Sequence, residues 1–174
     1  GDTDLTILRR AHEALMTVLS RQWQTRDANL PLKTPYEALI LASIVERESG
    51  VPAERPRIAG VFVRRLEQGM RLQTDPTVIY GLGARYAGNL TRAHLRDANN
   101  PWNTYKIDRL PPTPIALPGS EAISAVMHPT REAALYFVAK GDGSHAFAST
   151  LAEHEANVQR YQLRRTKNYR STIE

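Results

Sequence analysis

Residues Pro35–Gly50 read PYEALILASIVERESG, a stretch that is apolar on nearly every side and ends in two carboxylates. Thr34 with Glu37 three residues later has the form of a capping box, and Pro35 suits the first helical position. From Tyr36 to Val45 almost every residue is apolar, so the spacing predicts a helix enclosed by the rest of the fold. A carboxylate at the end of such a helix is costly unless it is paired, exposed or put to use. Glu46 and Glu48 both stand at that end.

At roughly 100° per residue, positions two apart on a helix diverge by about 200°. Glu46 and Glu48 therefore point to opposite sides and cannot face each other as an acid–base pair. Glu46 shares its face with Leu39, Ala42 and Ser43, two of them small enough to leave room for a ligand. Glu48 lies over Glu37, Leu41 and Ile44, a bulkier face. This favours Glu46 as the chemical group and Glu48 as a structural partner of an arginine, with Arg64 and Arg65 the nearest. Both could equally be solvated residues of a fraying last turn, and the helix alone leaves that question even.

Outward from this helix, Val51–Glu54 is a turn and Arg57–Gln68 a second helix, with Ile58, Val61, Phe62, Arg65 and Leu66 on one stripe and Gly69 as its stop. Met70–Thr77 is polar and without period, Asp75-Pro76 reads as a turn, and Val78–Gly83 suggests one helical turn. Thr91–Arg96 is a short helix. The long irregular run Asp97–Gly119 follows, and its Trp102 and Tyr105 argue for order and function. Ser120–Met127 reads as a helix with a Ser cap. Ala134–Ala139 and His145–Ser149 flank Gly141-Asp142-Gly143-Ser144 as a β-hairpin, and Thr150 with Glu153 opens a final helix to about Arg165. At the other end, Leu5, Leu8, Ala11, Leu15, Val18, Leu19 and Trp23 predict an amphipathic helix over 4–24, joined by the connector Asp27–Lys33. The expectation is α+β: a mostly helical domain with one small antiparallel sheet, the C-terminal hairpin.

Within the 174 residues, no run is long and apolar enough to cross a bilayer, and GDTDLT does not resemble a signal peptide. There is no cysteine, which excludes disulfides and thiolate chemistry. The net charge of +5 would suit an anionic polymer, nucleic acid or cell-wall glycan, but the excess is spread along the chain. Its densest cluster, Arg160, Arg164, Arg165, Lys167 and Arg170, reads as a solvated helix face. The five histidines are scattered without metal-ligand spacing, so no metal site and no cofactor are implied. GLG at 81–83 lacks the context of a phosphate loop, and GDGS is a turn.

What remains is a glutamate on an enclosed helix and two polar, aromatic-bearing segments. Arg71, Gln73, Thr74, Asp75 and Tyr80 lie in one; Asn103, Thr104 and Tyr105 lie in the other. Amides, hydroxyls and aromatic rings of this kind are what a carbohydrate site uses. Asp75 and Asn103 also suit turn capping, and Tyr80 the core.

IVERES, RLQTDPTVIYGLG, the WNTY segment, LPPTPIALPGSEAI, HP and YFVAKGDGSHAFASTLAEH, in this order and spacing over about 34–161, closely resemble the YceG-like family. The resemblance divides the chain into an N-terminal helix and connector (1–33), a catalytic domain (34–165) and a basic tail (166–174). It implies a lytic transglycosylase that cuts the β-1,4 bond between N-acetylmuramic acid and N-acetylglucosamine inside nascent peptidoglycan strands. The product would end in a 1,6-anhydro-muramyl residue and terminate glycan elongation. One Glu is the acid–base catalyst in such families, and the match falls on Glu46, with the 71–80 and 102–105 segments lining the glycan cleft. A single carboxylic acid in a largely apolar setting can protonate the departing oxygen and then deprotonate O6, so no second carboxylate is needed. Gln73 or Asn103 would orient the substrate's acetamido group, and Asp75 is the reserve carboxylate.

The implied partners are peptidoglycan glycan strands and peptidoglycan synthases, not nucleic acid. The implied setting is the periplasmic face of the bacterial inner membrane, reached through an N-terminal anchor outside this chain. Two rivals stand beside this reading. A hydrolytic muramidase would leave reducing ends and need Asp75, whereas a non-catalytic peptidoglycan-binding module would tolerate Glu46→Gln.

Overall fold

The computed structural model describes residues 2–163. Its core is a layer of helices: α1 (Asp4–Gln24), α2 (Pro35–Glu48), α3 (Arg55–Glu67) and α6 (Ser120–Met127). Helix α6 packs against all three of the others. Leu41, Ile44 and Val45 of α2 meet Ile58 and Phe62 of α3 and Val126 and Met127 of α6, all fully buried. Each such side chain contributes about 1.5–3 kcal/mol of burial. Helix α2 is buried continuously from Ala38 to Val45, as its unbroken apolar run requires.

The start of α2 departs from a closed capping box in one respect. Thr34 accepts the N–H of Glu37, but the Glu37 carboxylate accepts the N–H of Lys33 rather than that of Thr34. The C-terminal half of α1 joins the core through Leu19, with Leu15, Val18 and Trp23 against it, and the connector is tied to α6 by Asp27 N–H donating to Met127 C=O.

Helix α4 (Asp75–Leu82) is longer than the single turn expected and begins three residues earlier. Asp75-Pro76 occupies its first turn, where a proline's missing N–H costs nothing. The short α5 (Arg92–Arg96) leads into the irregular 97–119 segment, which is ordered by its own asparagines. Asn100 donates to Val78 C=O and accepts from Trp102 N–H, holding the segment on α4. The two approach so closely that a Cβ on Gly81 would lie 1.9 Å from the Asn100 amide oxygen.

Strands β1 (Tyr136–Ala139) and β2 (His145–Ala148) pair antiparallel, with Tyr136 opposite Ala148 and Ala139 opposite His145. The turn uses Gly141 and Gly143 at positive φ, and Asp142 accepts from both the N–H and the hydroxyl of Ser144. Thr150 and Glu153 form a full capping box that opens α7 (Leu151–Val158). The helix then widens to a π-turn over Gln159–Leu163. The expected α+β architecture, mostly helical with one hairpin, is what forms. No helix among the described residues is long and apolar enough to cross a membrane. The expected tail, 166–174, and all but Arg160 of the basic cluster lie outside the described residues.

Candidate active site

The two carboxylates at the end of α2 diverge as helix geometry demands, but the cleft opens on the side of Glu48. It measures about 1090 Å³, at the top of the roughly 300–1,000 Å³ range of ligand pockets. The end of α2 (Arg47, Glu48), Leu72–Pro76, Tyr80 and Tyr105 contribute to it, as do the hairpin and α7 through Tyr136, His145 and His154.

Glu46 is turned away and does not border this cleft. It pairs with Arg55 at 2.9 Å and accepts the N–H of Gly119 at 2.9 Å, while Arg55 also reaches Glu121 at 2.9 Å. The expectation that Glu46 faces the cleft and Glu48 pairs with an arginine is thus reversed in the geometry. The small residues beside Glu46 leave no vacancy: the 115–119 segment fills that face, with Ile115 N–H donating to Ser43 Oγ at 2.9 Å. Glu48 has no ion pair among the described residues. Arg64 is spent on the carbonyls of Thr130 and Ala134, and Arg65 on those of Arg71, Leu72 and Leu135.

Glu48 is half-buried at the cleft wall, and its one side-chain partner is the hydroxyl of Thr74. Desolvation is the main influence and pushes its carboxyl up to about 7. The nearby Asp75 carboxylate adds to the rise, while the Thr74 hydroxyl and the more distant Arg65 charge oppose it. A carboxylic acid that holds its proton to neutral pH is suited to general acid–base chemistry.

Thr74 sits at the N-cap of α4, yet its hydroxyl makes no cap bond and goes to Glu48 instead. Its position is fixed from behind. Thr74 N–H donates to Thr104 Oγ1 at 3.0 Å, Thr77 Oγ1 donates to Thr74 C=O at 2.8 Å, and the Thr77 and Thr104 hydroxyls lie 2.9 Å apart. The preceding Gln73 lines the cleft with φ of 52°, a left-handed conformation uncommon for a residue with a side chain. Asp75 lines the same cleft and accepts the Tyr105 hydroxyl at 2.7 Å. Burial and the Asp75 carboxylate raise the Tyr105 phenol far above its ordinary range, so it remains a donor.

The remaining expected residues separate into two groups. Tyr80 borders the cleft, 45% exposed, with its ring edge-on to Trp102 at 5.5 Å. Asn103 and Thr104 are fully buried and are not positioned to touch a ligand. The Asn103 amide donates to the carbonyls of His94, Leu95 and Asp97 and accepts the N–H of Tyr105. Arg71 lies outside the cleft lining, bound to Asp108 at 3.1 Å and to Tyr105 C=O. Sequence reading also passed over Thr77 and His145. The cue available for Glu48 was the TDPT segment, whose polar residues need a wall to serve.

Residues 1–160 match the YceG-like family, which is nearly the whole of the described chain. The chain belongs to the YceG-like family. Among its relatives, the endolytic murein transglycosylase of Bacillus subtilis (strain 168) is 40% identical over 126 residues, or 72% of this chain and 34% of the relative. That of Streptococcus pneumoniae serotype 2 is 35% identical over 130 residues, 72% of this chain and 23% of the relative. The crystal structure of a yceG-like protein from Listeria monocytogenes superimposes with a TM-score of 0.68 at 35% identity, covering 83% of this chain and 44% of that one. The YceG-like chain described here thus spans about a third or less of the curated relatives it matches. The architecture above is that of the family.

Proposed function

We propose that this YceG-like domain is an endolytic peptidoglycan lytic transglycosylase in which Glu48, not Glu46, is the acid–base catalyst. The observation that carries the assignment is a carboxyl with a raised pKa, without an ion pair among the described residues, at the wall of a cleft of about 1090 Å³. Its relatives are named endolytic murein transglycosylases, which supplies the substrate class. Protonated Glu48 donates to the glycosidic oxygen as the bond between it and the muramyl C1 breaks. The muramyl O6 hydroxyl then closes on C1 and returns its proton to the Glu48 carboxylate. Bonds and protons balance, with one C–O bond broken, one formed and no water consumed. Cleft-lining Asp75, held by Tyr105, lies close enough to raise the Glu48 pKa and adds negative potential where C1 becomes electron-poor. On this reading Gln73 and Tyr80, which line the cleft, orient acetamido groups and sugar faces.

A hydrolytic reading is favoured by one feature, the second carboxylate Asp75 in the same cleft. Products distinguish the two. Mass spectrometry of digested glycan strands is expected to show 1,6-anhydro ends, lost with Glu48→Gln and kept with Glu46→Gln. Reducing ends that vanish with Asp75→Asn would establish the hydrolase instead. In the setting implied by the family, the domain works on nascent glycan strands beside the synthases, at the outer face of the bacterial inner membrane.

A further inference from the structure

The cleft has a second polar device, remote in sequence from Glu48. His145, at the start of β2, is only 5% exposed, and both of its anchoring bonds go to one carboxylate. Glu54, in the 3-10 turn Pro52–Glu54, accepts the His145 backbone N–H at 3.0 Å and lies 2.8 Å from Nδ1. Because a carboxylate only accepts, Nδ1 carries a proton, and in the neutral ring Nε2 is left with its lone pair. The edge of Phe137 at 5.4 Å and 89° fixes the ring plane.

Nε2 has no hydrogen-bond partner among the described residues. His145 is among the residues that line the cleft, and Nε2 is the polar side-chain atom that Glu54 leaves unused. A buried ring nitrogen left without a protein partner is satisfied by water or by a ligand, and the cleft that His145 lines can supply either.

We infer that His145, oriented by Glu54, is a saccharide-binding residue, its Nε2 accepting a sugar hydroxyl or an acetamido N–H on the hairpin wall of the cleft. The inference rests on the glycan reading proposed above and adds a specific contact to it. Glu54 acts through His145 and is a positioning residue.

Asparagine and glutamine separate the two nitrogens. His145→Asn places an amide N–H near Nδ1 and keeps the Glu54 bond but removes Nε2. His145→Gln places its amide near Nε2 and gives up the Glu54 bond. Both are made in the Glu48→Gln protein, and binding of soluble, uncrosslinked peptidoglycan glycan strands is measured by calorimetry beside thermal melting. His145→Asn is expected to keep the melting temperature and weaken binding about five- to tenfold, as loss of one hydrogen bond would. His145→Gln is expected to melt lower and bind within about threefold of its parent. Parental affinity in His145→Asn would reduce His145 to a structural residue and overturn the inference. So would affinity that falls only as far as each variant's melting temperature does. If the Glu48→Gln parent itself bound no glycan, the glycan reading would fail and take this inference with it, an outcome visible before either histidine variant is made.

Discussion

Glu46 and Glu48 belong to one helical turn, have the same chemistry and differ in almost everything else. Glu46 is neutralised by Arg55 and a backbone N–H, and it fastens the end of α2 to the 115–119 segment. Glu48 has one neutral hydroxyl for a partner and an open cleft in front of it. A fully compensated carboxylate stabilises a fold; an under-compensated one stores a proton and can use it. Two residues of separation on a helix suffice to put the same side chain in two opposite settings.

The contrast is broken most strongly by activity. Glu48→Gln is expected to lower cleavage of glycan strands by roughly 10²–10⁴-fold, the usual contribution of a positioned acid–base group. Glu46→Gln is expected to cost less than about tenfold, since it only loosens a wall behind the site. Steady-state rates on purified strands measure both, and equal losses would dissolve the distinction.

The second effect is on stability and has the opposite sign for the two residues. Folding raises the Glu48 carboxyl from 4.5 to about 7, so the native state retains a proton that the unfolded chain releases. Stability contributed by that proton is present below pH 4.5, falls as pH rises through the 4.5–7 window, and is absent above it. Glu48→Gln removes the titration. It is therefore expected to stabilise the domain by about 2–3 kcal/mol at pH 8 and to change little at pH 4.5. Urea unfolding at the two pH values measures this. Gain at high pH, loss of activity and an intact fold together are the mark of a group strained for function.

Much of this architecture was legible in the chain, and the rest was hidden for two separate reasons. Helix α1 runs over the predicted 4–24, because its apolar spacing and its Thr3 cap are local properties. The hairpin and the Thr150 capping box are equally local. Helix α4 was shortened because Asp75-Pro76 was read as a turn, although a proline at a first turn starts a helix as well as it ends one. Which of the two glutamates faces the cleft was not legible, for a different reason. Periodicity tells which residues diverge, but which side stays open is decided by chain that arrives from far away. Ala42 and Ser43 looked like room for a ligand, and Ile115, 72 residues on from Ser43, occupies it. Asn103 was assigned to the ligand for the same reason, since nothing local shows that three carbonyls and an N–H exhaust its amide.

The third effect tests the structural half of the contrast. Glu46→Gln leaves Arg55, only 13% exposed at its side chain, with the exposed Glu121 as its one charged partner among the described residues. It is expected to cost about 1–3 kcal/mol, the penalty of leaving a largely desolvated charge under-paired. Denaturant unfolding at pH 7 measures it. A variant as stable as the parent would show that the Arg55–Glu46 bridge only breaks even against its desolvation, and the fastening role would be lost.

The smallest effect sharpens the comparison from the side of Glu48. Thr74 gives α4 no cap bond, so Thr74→Val removes the hydroxyl from Glu48 without uncapping the helix. That hydroxyl favours the ionised carboxylate, and losing it raises the Glu48 pKa further. In the proposed mechanism Glu48 acts first as an acid and must be protonated in the free enzyme, so the alkaline limb of kcat/KM is expected to follow this pKa. Thr74→Val is therefore expected to move that limb upward by up to about one pH unit, with less than a tenfold change at the optimum. A structural threonine would lower the rate at every pH and leave the limb in place. A limb that stayed still while unfolding showed an intact fold would mean that another group titrates it, and Asp75, bound to Tyr105 beside Thr74, would be the next to replace.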